Sequence, residues 1–247
     1  MIRVDSSFPP KPPYRGRARP RAGASLTLLA LVAIVSVAQR SAGQTPSPHD
    51  ATVHHPFTGI DKWTKVFDDP KRDAWQKPRE LVEALGLKPG QIIADLGAGT
   101  GYFERHLSRA VAPGGIVLAI DIEPEMVRHL GERARKESTP NVVPVLALPK
   151  DPFLPAGRVD CVLIVDTYHH IDGRLAYFRR MKDSLAPGGR IAVVDYHKRD
   201  LPVGPPPQHK LAREFVLNEM KEAGFVLADE KSFLPYHYFL IFRPAIR

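Results

Sequence analysis

The sequence predicts an α/β fold of three layers built on a mostly parallel sheet, and three observations carry that expectation. Apolar, β-branched runs alternate with stretches of helical spacing from about residue 78 to residue 242. Turns of the type Pro89-Gly90, Pro113-Gly114-Gly115 and Pro187-Gly188-Gly189 stand between a helical stretch and the next apolar run; Pro stops the helix and Gly supplies the turn. The first apolar run leads into a loop with glycine at alternate positions, Gly97, Gly99 and Gly101, which lets the backbone approach a ligand at the carboxyl edge of such a sheet.

In chain order, a helix is expected over 78–85, with Pro78 at its start and Gly86 past its end. Strands follow at 91–95, 116–120, 142–147, 159–165 and 190–195, with helices at 101–111, 124–136 and 171–185 among them. In the 124–136 stretch Met126, Val127, Leu130 and Ala134 recur at helical spacing. A helix over 208–223 sets Leu211, Phe215, Val216 and Met220 on one side, and strands at 225–230 and 236–242 end the series.

The 247 residues carry a net charge of +8. Most of it resides in the first 38 residues, where Arg3, Lys11, Arg15, Arg17, Arg19 and Arg21 face Asp5 alone. The remainder is nearly balanced, which argues against a nucleic-acid binder. Residues 22–39 carry no charge, the run 26–38 is almost wholly apolar, and Ser36-Val37-Ala38 offers small residues for a peptidase. Residues 1–38 therefore read as a signal peptide or membrane anchor, 39–53 as a linker by its Gly, Pro and Ser content, and 54–247 as the folded domain. The expected location is exported (periplasmic or extracellular) or membrane-anchored, and cytoplasmic only if the start is misassigned. Cys161, the single cysteine, allows no intrachain disulfide and no thiolate metal cluster, and no metal site is expected.

The ligand of the glycine loop is narrowed by charge. Asp95 ends the strand before the loop, where a carboxylate repels a pyrophosphate but suits a ligand bearing an ammonium and a sulfonium. The spacing G-x-G-x-G followed by Tyr102 departs from the dinucleotide fingerprint, and no Lys-Ser or Lys-Thr pair makes it a P-loop. Asp121 ends the next strand, where an acid accepts from ribose hydroxyls or caps the helix that follows. These features, together with Leu185-Ala186-Pro187-Gly188-Gly189-Arg190, resemble the successive motifs of class I S-adenosylmethionine (SAM)-dependent methyltransferases over about residues 75–242. The resemblance implies a Rossmann-like, seven-stranded sheet whose last strand, here 236–242, is antiparallel. It also implies SAM as cofactor. Asp95 and the backbone of Gly97, Ala98, Gly99 and Gly101 would hold the methionine part, Asp121 the ribose and Ile122 one adenine face, with Tyr102 and Asp166 completing the contacts. The loop after the third strand lacks the usual acid or amide at its start, so Asp151 either serves the adenine amino group from a shifted position or belongs to a surface turn.

The fourth strand ends in Asp166-Thr167-Tyr168-His169-His170, where ligands of open parallel sheets bind. Methyl transfer is an in-line displacement, and a nucleophile that carries a proton needs a base; His169, His170 and Tyr168 are the catalytic candidates, against cofactor packing or helix capping. Adjacent histidines diverge in direction and do not chelate a metal by themselves. Tyr196, His197 and Lys198 border the same mouth, and His54, His55, Trp63, Phe67 and Trp75 form either a lid over it or a packed extra helix. The expected partner is a small-molecule or lipid-like acceptor, with no nucleic acid and no membrane beyond the leader. A SAM- or nucleoside-binding sensor without chemistry and an NAD(P)-dependent oxidoreductase are the alternatives.

Overall fold

Five apolar runs form the parallel part of a seven-stranded sheet: β1 (Ile92–Leu96), β2 (Ile116–Asp121), β3 (Val142–Leu146), β4 (Val159–Val165) and β5 (Leu185–Tyr196). The strand order is β3-β2-β1-β4-β5-β7-β6, where β6 is Phe225–Lys231 and β7 is His237–Pro244. β7 runs antiparallel to both its neighbours, as the resemblance implied. This computed structural model describes residues 47–53 and 56–245; the leader over 1–38, His54 and His55 lie outside the described residues.

Both faces of the central strands are buried because those strands are apolar at successive positions. In β4, Cys161, Leu163 and Val165 join one core with Leu81 and Val82 of α3 (Pro78–Ala84), Leu107 of α4 (Glu104–Val111) and Leu130 of α5 (Pro124–Lys136). Val162 and Ile164 point the other way, into a core with Phe178 of α6 (Arg174–Met181) and Val216 and Met220 of α7 (Arg213–Glu222). Burial pushes the Cys161 thiol up to about 12, so it is an inert packing group. The strand order reverses between β1 and β4, and their carboxyl ends, which carry the glycine loop and the His169-His170 pair, flank the crevice.

The structure differs from expectation in four places. Pro187-Gly188-Gly189 does not precede β5 but bulges within it: two β4 residues, Val159 and Cys161, pair with Leu185 and Arg190. The 171–185 helix is trimmed to α6 because Gly173 takes φ 58° at its N-cap. Two helices that the expectation did not place, α1 (Ile60–Phe67) and α2 (Asp73–Gln76), precede α3; α1 sets Ile60, Trp63 and Phe67 at helical spacing yet fully buries none of its residues. Finally, residues 47–53, linker-like in composition, are fastened to the domain. The guanidinium of Arg174 donates to the carbonyls of Pro48 (2.8 Å) and Asp50 (2.6 Å), and Thr52 N–H donates to the His169 carbonyl at 2.9 Å.

Candidate active site

The loop after β1 owes its shape to close approaches. A Cβ on Gly97 (φ 81°) would meet Thr167 Oγ1 at 2.3 Å, so only glycine lets this loop pass the end of β4. Gly99 (φ 56°) turns its N–H to Asp121 Oδ2 at 2.9 Å, while Glu123 N–H donates to Asp121 Oδ1 at 2.9 Å. Asp121 thus ties the loop to the start of α5. An ionised carboxylate has about four acceptor sites, so these two bonds leave room for ribose hydroxyls.

Beneath the loop lies a pair of carboxyl groups. Asp95 and Glu104 are each 3% exposed and share a proton, and no side chain other than Asp95 bonds to the Glu104 oxygens among the described residues. Glu104 stands in the first turn of α4, its Oε2 3.3 Å from where a Cβ on Gly101 would lie. Burial drives both acids up, Asp95 to about 7, with the proton shared with Glu104 pulling it back and the charge of Asp121 adding to the rise; Glu104 is raised by burial and by the charge of Asp95. An acid with a raised folded pKa holds its proton in the native state after the unfolded chain has lost it. Stability therefore falls as pH rises between about 4 and 7 through Asp95, and further through Glu104. Glu104→Gln is expected to stabilise the ligand-free protein at pH 8 by about 2 kcal/mol, or about 5 °C in Tm, and to leave it unchanged near pH 4. Equal melting of both forms across a pH series would remove the pair from the account.

Across the crevice, His169 Nδ1 lies 2.9 Å from Asp195 Oδ2 and 3.0 Å from Oδ1, with the two side chains 3% and 0% exposed. Tyr196 N–H holds Asp195 Oδ1 at 2.8 Å. Burial works to lower the His169 pKa, yet the charge and hydrogen bond of Asp195 prevail and hold it above the ordinary histidine value. Burial likewise works to raise Asp195, and His169 with the Tyr196 N–H holds it below the usual carboxylate range. A carboxylate on Nδ1 fixes the tautomer that presents Nε2 as a base.

The comparisons with known proteins agree with this geometry. Residues 93–189 match a family model described as a methyltransferase domain. A SAM-dependent methyltransferase of Aquifex aeolicus superposes with a TM-score of 0.71 at 27% identity, covering 74% of this chain and 97% of that one. The ubiquinone/menaquinone biosynthesis C-methyltransferase of Pasteurella multocida is 29% identical over 159 residues, 64% of this chain and 58% of that protein. Phosphoethanolamine N-methyltransferase 3 of Arabidopsis thaliana is 27% identical over 182 residues, 72% of this chain and 36% of that protein. These likenesses identify residues 93–189 as a methyltransferase domain of the class I SAM-dependent kind. The chain spans less than two thirds of the length of these two curated relatives.

Within that methyltransferase frame the expected residues fall into three groups. Gly97, Ala98, Gly99, Gly101 and Asp121 converge on the loop, and Ile122, 51% exposed, stands at the end of β2 with its apolar side chain free to meet a base. Asp95 lies beneath the loop rather than open above it. Asp166 is held by His237 of β7, and Tyr102 by the segment before α3. Asp166 (φ 53°) accepts from His237 Nε2 at 2.9 Å and lies 3.9 Å from Arg72 Nη2, while the Tyr102 hydroxyl donates to Asp73.

One expectation is corrected. Tyr168 is fully buried, stacked on Phe178 with ring centroids 5.0 Å apart, and donates its hydroxyl to Glu219 at 2.5 Å; that bond anchors it in the α6–α7 core and away from the crevice. Asp151 lies in a surface turn, where Oδ1 accepts from Phe153 N–H at 2.8 Å, a bond that supports the positive φ of Phe153. His170, whose ring centroid is 4.2 Å from that of His169, packs edge-on against Phe57 at 5.4 Å.

Three aromatic residues of the amino-terminal segment cluster beside the glycine loop. The centroids of Phe57, Trp63 and Phe67 lie 4.7 to 6.0 Å apart, and Phe67 comes within 3.6 Å of a Cβ position on Gly99. Phe57 and Gly59 N–H groups fasten the segment to Glu123 and Glu125 at 3.2 and 2.8 Å. Trp75 stacks on the His237 ring at 5.7 Å, and Tyr196 packs against the same ring at 4.2 Å. Asp195, Glu104, Arg72 and His237 escaped the sequence reading. Asp195 was within reach of it, since the rule that selected the end of β4 applies equally to the end of β5.

Proposed function

We propose that this protein transfers the methyl group of SAM to a small-molecule acceptor whose nucleophilic atom carries a proton. The observation that carries the reading is the pair of carboxyl groups under the glycine loop. A pyrophosphate bound at this loop would sit at the start of α4, where Glu104 and Asp95 oppose it. Asp95, the acid of the pair that ionises first, favours the ammonium and sulfonium of SAM. Gly99 and Asp121 fit its ribose, and Ile122 offers an apolar face for adenine.

When bound, SAM supplies an electrophilic methyl carbon whose bond to sulfur breaks as the nucleophile attacks. The chain supplies position and proton transfer. Thr167 and the Gly97 turn fix the distance between the two sides of the crevice, and Phe57, Trp63 and Phe67 act as a lid that excludes water. His169, oriented by Asp195, takes the proton of the acceptor at Nε2. The Pasteurella relative is named for methylation at carbon and the Arabidopsis relative for methylation at nitrogen. Their likeness supports the reaction class and leaves the accepting atom open.

Calorimetry of the purified chain tests the reading. SAM and S-adenosylhomocysteine are expected to bind at least about tenfold more tightly than NAD, a difference of about 1.4 kcal/mol. Equal affinity for NAD would sink the charge argument and restore the oxidoreductase reading.

A further inference from the structure

The amino-acid end of SAM carries a carboxylate beside its ammonium, and the glycine loop by itself repels it. Asp95 and Glu104 lie beneath the loop, Asp121 bonds to it, and Asp166 stands at the facing strand end. Those that are ionised favour the cationic groups of the cofactor and oppose its carboxylate. A cation beside the loop would offset that repulsion.

Arg133 and Arg72 both touch the loop. Arg133 is committed elsewhere: Nε donates to Glu137 at 2.9 Å, and Nη1 donates to Asp68 at 2.8 Å and to the Thr100 carbonyl at 3.0 Å. Arg72 differs. Its turn is set by Asp69, whose side chain accepts from Lys71 N–H, with Pro70 in the first position. The guanidinium lies 4.5 Å from the Tyr102 ring centroid, 5.6 Å from Trp75 and 5.8 Å from Phe67. Three rings thus hold it level with the end of the loop. Nη1 donates to the Phe67 carbonyl at 2.5 Å, and Nη2 reaches toward Asp166 at 3.9 Å, beyond hydrogen-bond range. A guanidinium has five N–H donors in a planar fork suited to a carboxylate, and one of them is in a hydrogen bond among the described residues.

We infer that Arg72, poised over the glycine loop by Phe67, Trp75 and Tyr102, binds the carboxylate of the methionyl group of the cofactor. The inference rests on the SAM reading above and deepens it, because it makes the amino-terminal lid part of the cofactor site. Docking of the lid and capture of the amino-acid end are then one event.

The test compares two ligands on the full chain by calorimetry. S-adenosylhomocysteine has the amino-acid end; 5′-deoxy-5′-methylthioadenosine keeps the adenosine and the sulfur but lacks it. Arg72→Gln is expected to weaken S-adenosylhomocysteine by about 10- to 100-fold, the range of a charge-assisted bond. It should leave the methylthioadenosine affinity within about twofold, which also reports that the variant is folded. Arg72→Lys should recover part of the loss, since it restores the charge without the fork. Equal weakening of both ligands would make Arg72 a lid-positioning residue and overturn the inference, as would unchanged S-adenosylhomocysteine affinity. If the wild-type chain binds methylthioadenosine but discriminates nothing between the two ligands, the carboxylate has no cation and the inference fails alone. If it binds neither, the SAM reading fails first.

Discussion

Asp195→Asn is expected to lower the methylation rate of whichever phenol, thiol or amine the wild-type chain accepts by about 10²- to 10⁴-fold in kcat, with SAM affinity nearly unchanged. The carboxylate of Asp195 lies on His169 Nδ1 at 2.9 Å and selects the tautomer with its lone pair on Nε2. An amide at 195 turns its NH2 group to Nδ1 and stabilises the opposite tautomer, so the imidazole remains in place with its proton on the wrong nitrogen. The pH profile separates this positioning role from a structural one. His169 is held above the ordinary histidine value by Asp195, and the base acts in its neutral form, so kcat/KM in the wild type should climb as pH rises through that elevated pKa. Without the carboxylate the pKa falls, and the climb should begin at lower pH even as the plateau drops. His169→Gln should reach the same low plateau and lose the titration altogether. A normal rate in both variants would leave the dyad as packing and move the base elsewhere.

What the sequence disclosed and what it withheld follow from the range of the interactions. Strands of the sheet announce themselves locally: Val162 to Val165 is apolar at every position because both faces are buried, and the pattern needs no partner to be read. The glycine loop was equally legible, since its backbone demands are met by residue type. Its reason was only half visible, however. Gly97 is fixed by Thr167, some 70 residues away in sequence, as much as by any ligand. The acid pair, the dyad and the fastening of the aromatic segment all join residues far apart in the chain, and no periodicity marks them. α1 was not placed although Ile60, Trp63 and Phe67 recur at helical spacing, because the stripe spans only two turns; the helix fully buries no residue, and the segment before it is held by carboxylates at the start of α5. Tyr168 was misplaced for the converse reason: adjacency to His169 suggested a shared site, but the one-turn helix over 168–170 sends the tyrosine hydroxyl to Glu219 and the histidine ring to Asp195.

The largest loss of stability is expected at Arg174. It is fully buried, and its Nε donates to Glu219 Oε2 at 2.9 Å while its Nη atoms hold the carbonyls of Pro48, Asp50 and Ile171. Glu219 also accepts from Tyr168 and pairs with His49 Nδ1 at 2.7 Å, so one buried carboxylate organises α6, α7 and the strap over 47–53. Arg174→Met leaves that carboxylate enclosed without its cation. Breaking a buried pair by removing one partner costs about 3–5 kcal/mol. A fall in Tm of about 10 °C is therefore expected in a thermal scan. Glu219→Gln in the same background should regain part of it, because the uncompensated charge is then gone. The strap should also open to protease near residue 50, since the substitution removes the two guanidinium bonds to the carbonyls of Pro48 and Asp50. If Arg174→Met melts as the wild type does, the pair is an arrangement the fold tolerates and not one it depends on. If it melts early but the strap stays protected, the bond of Thr52 to the His169 carbonyl is the stronger fastening, and the strap is held from the active-site side.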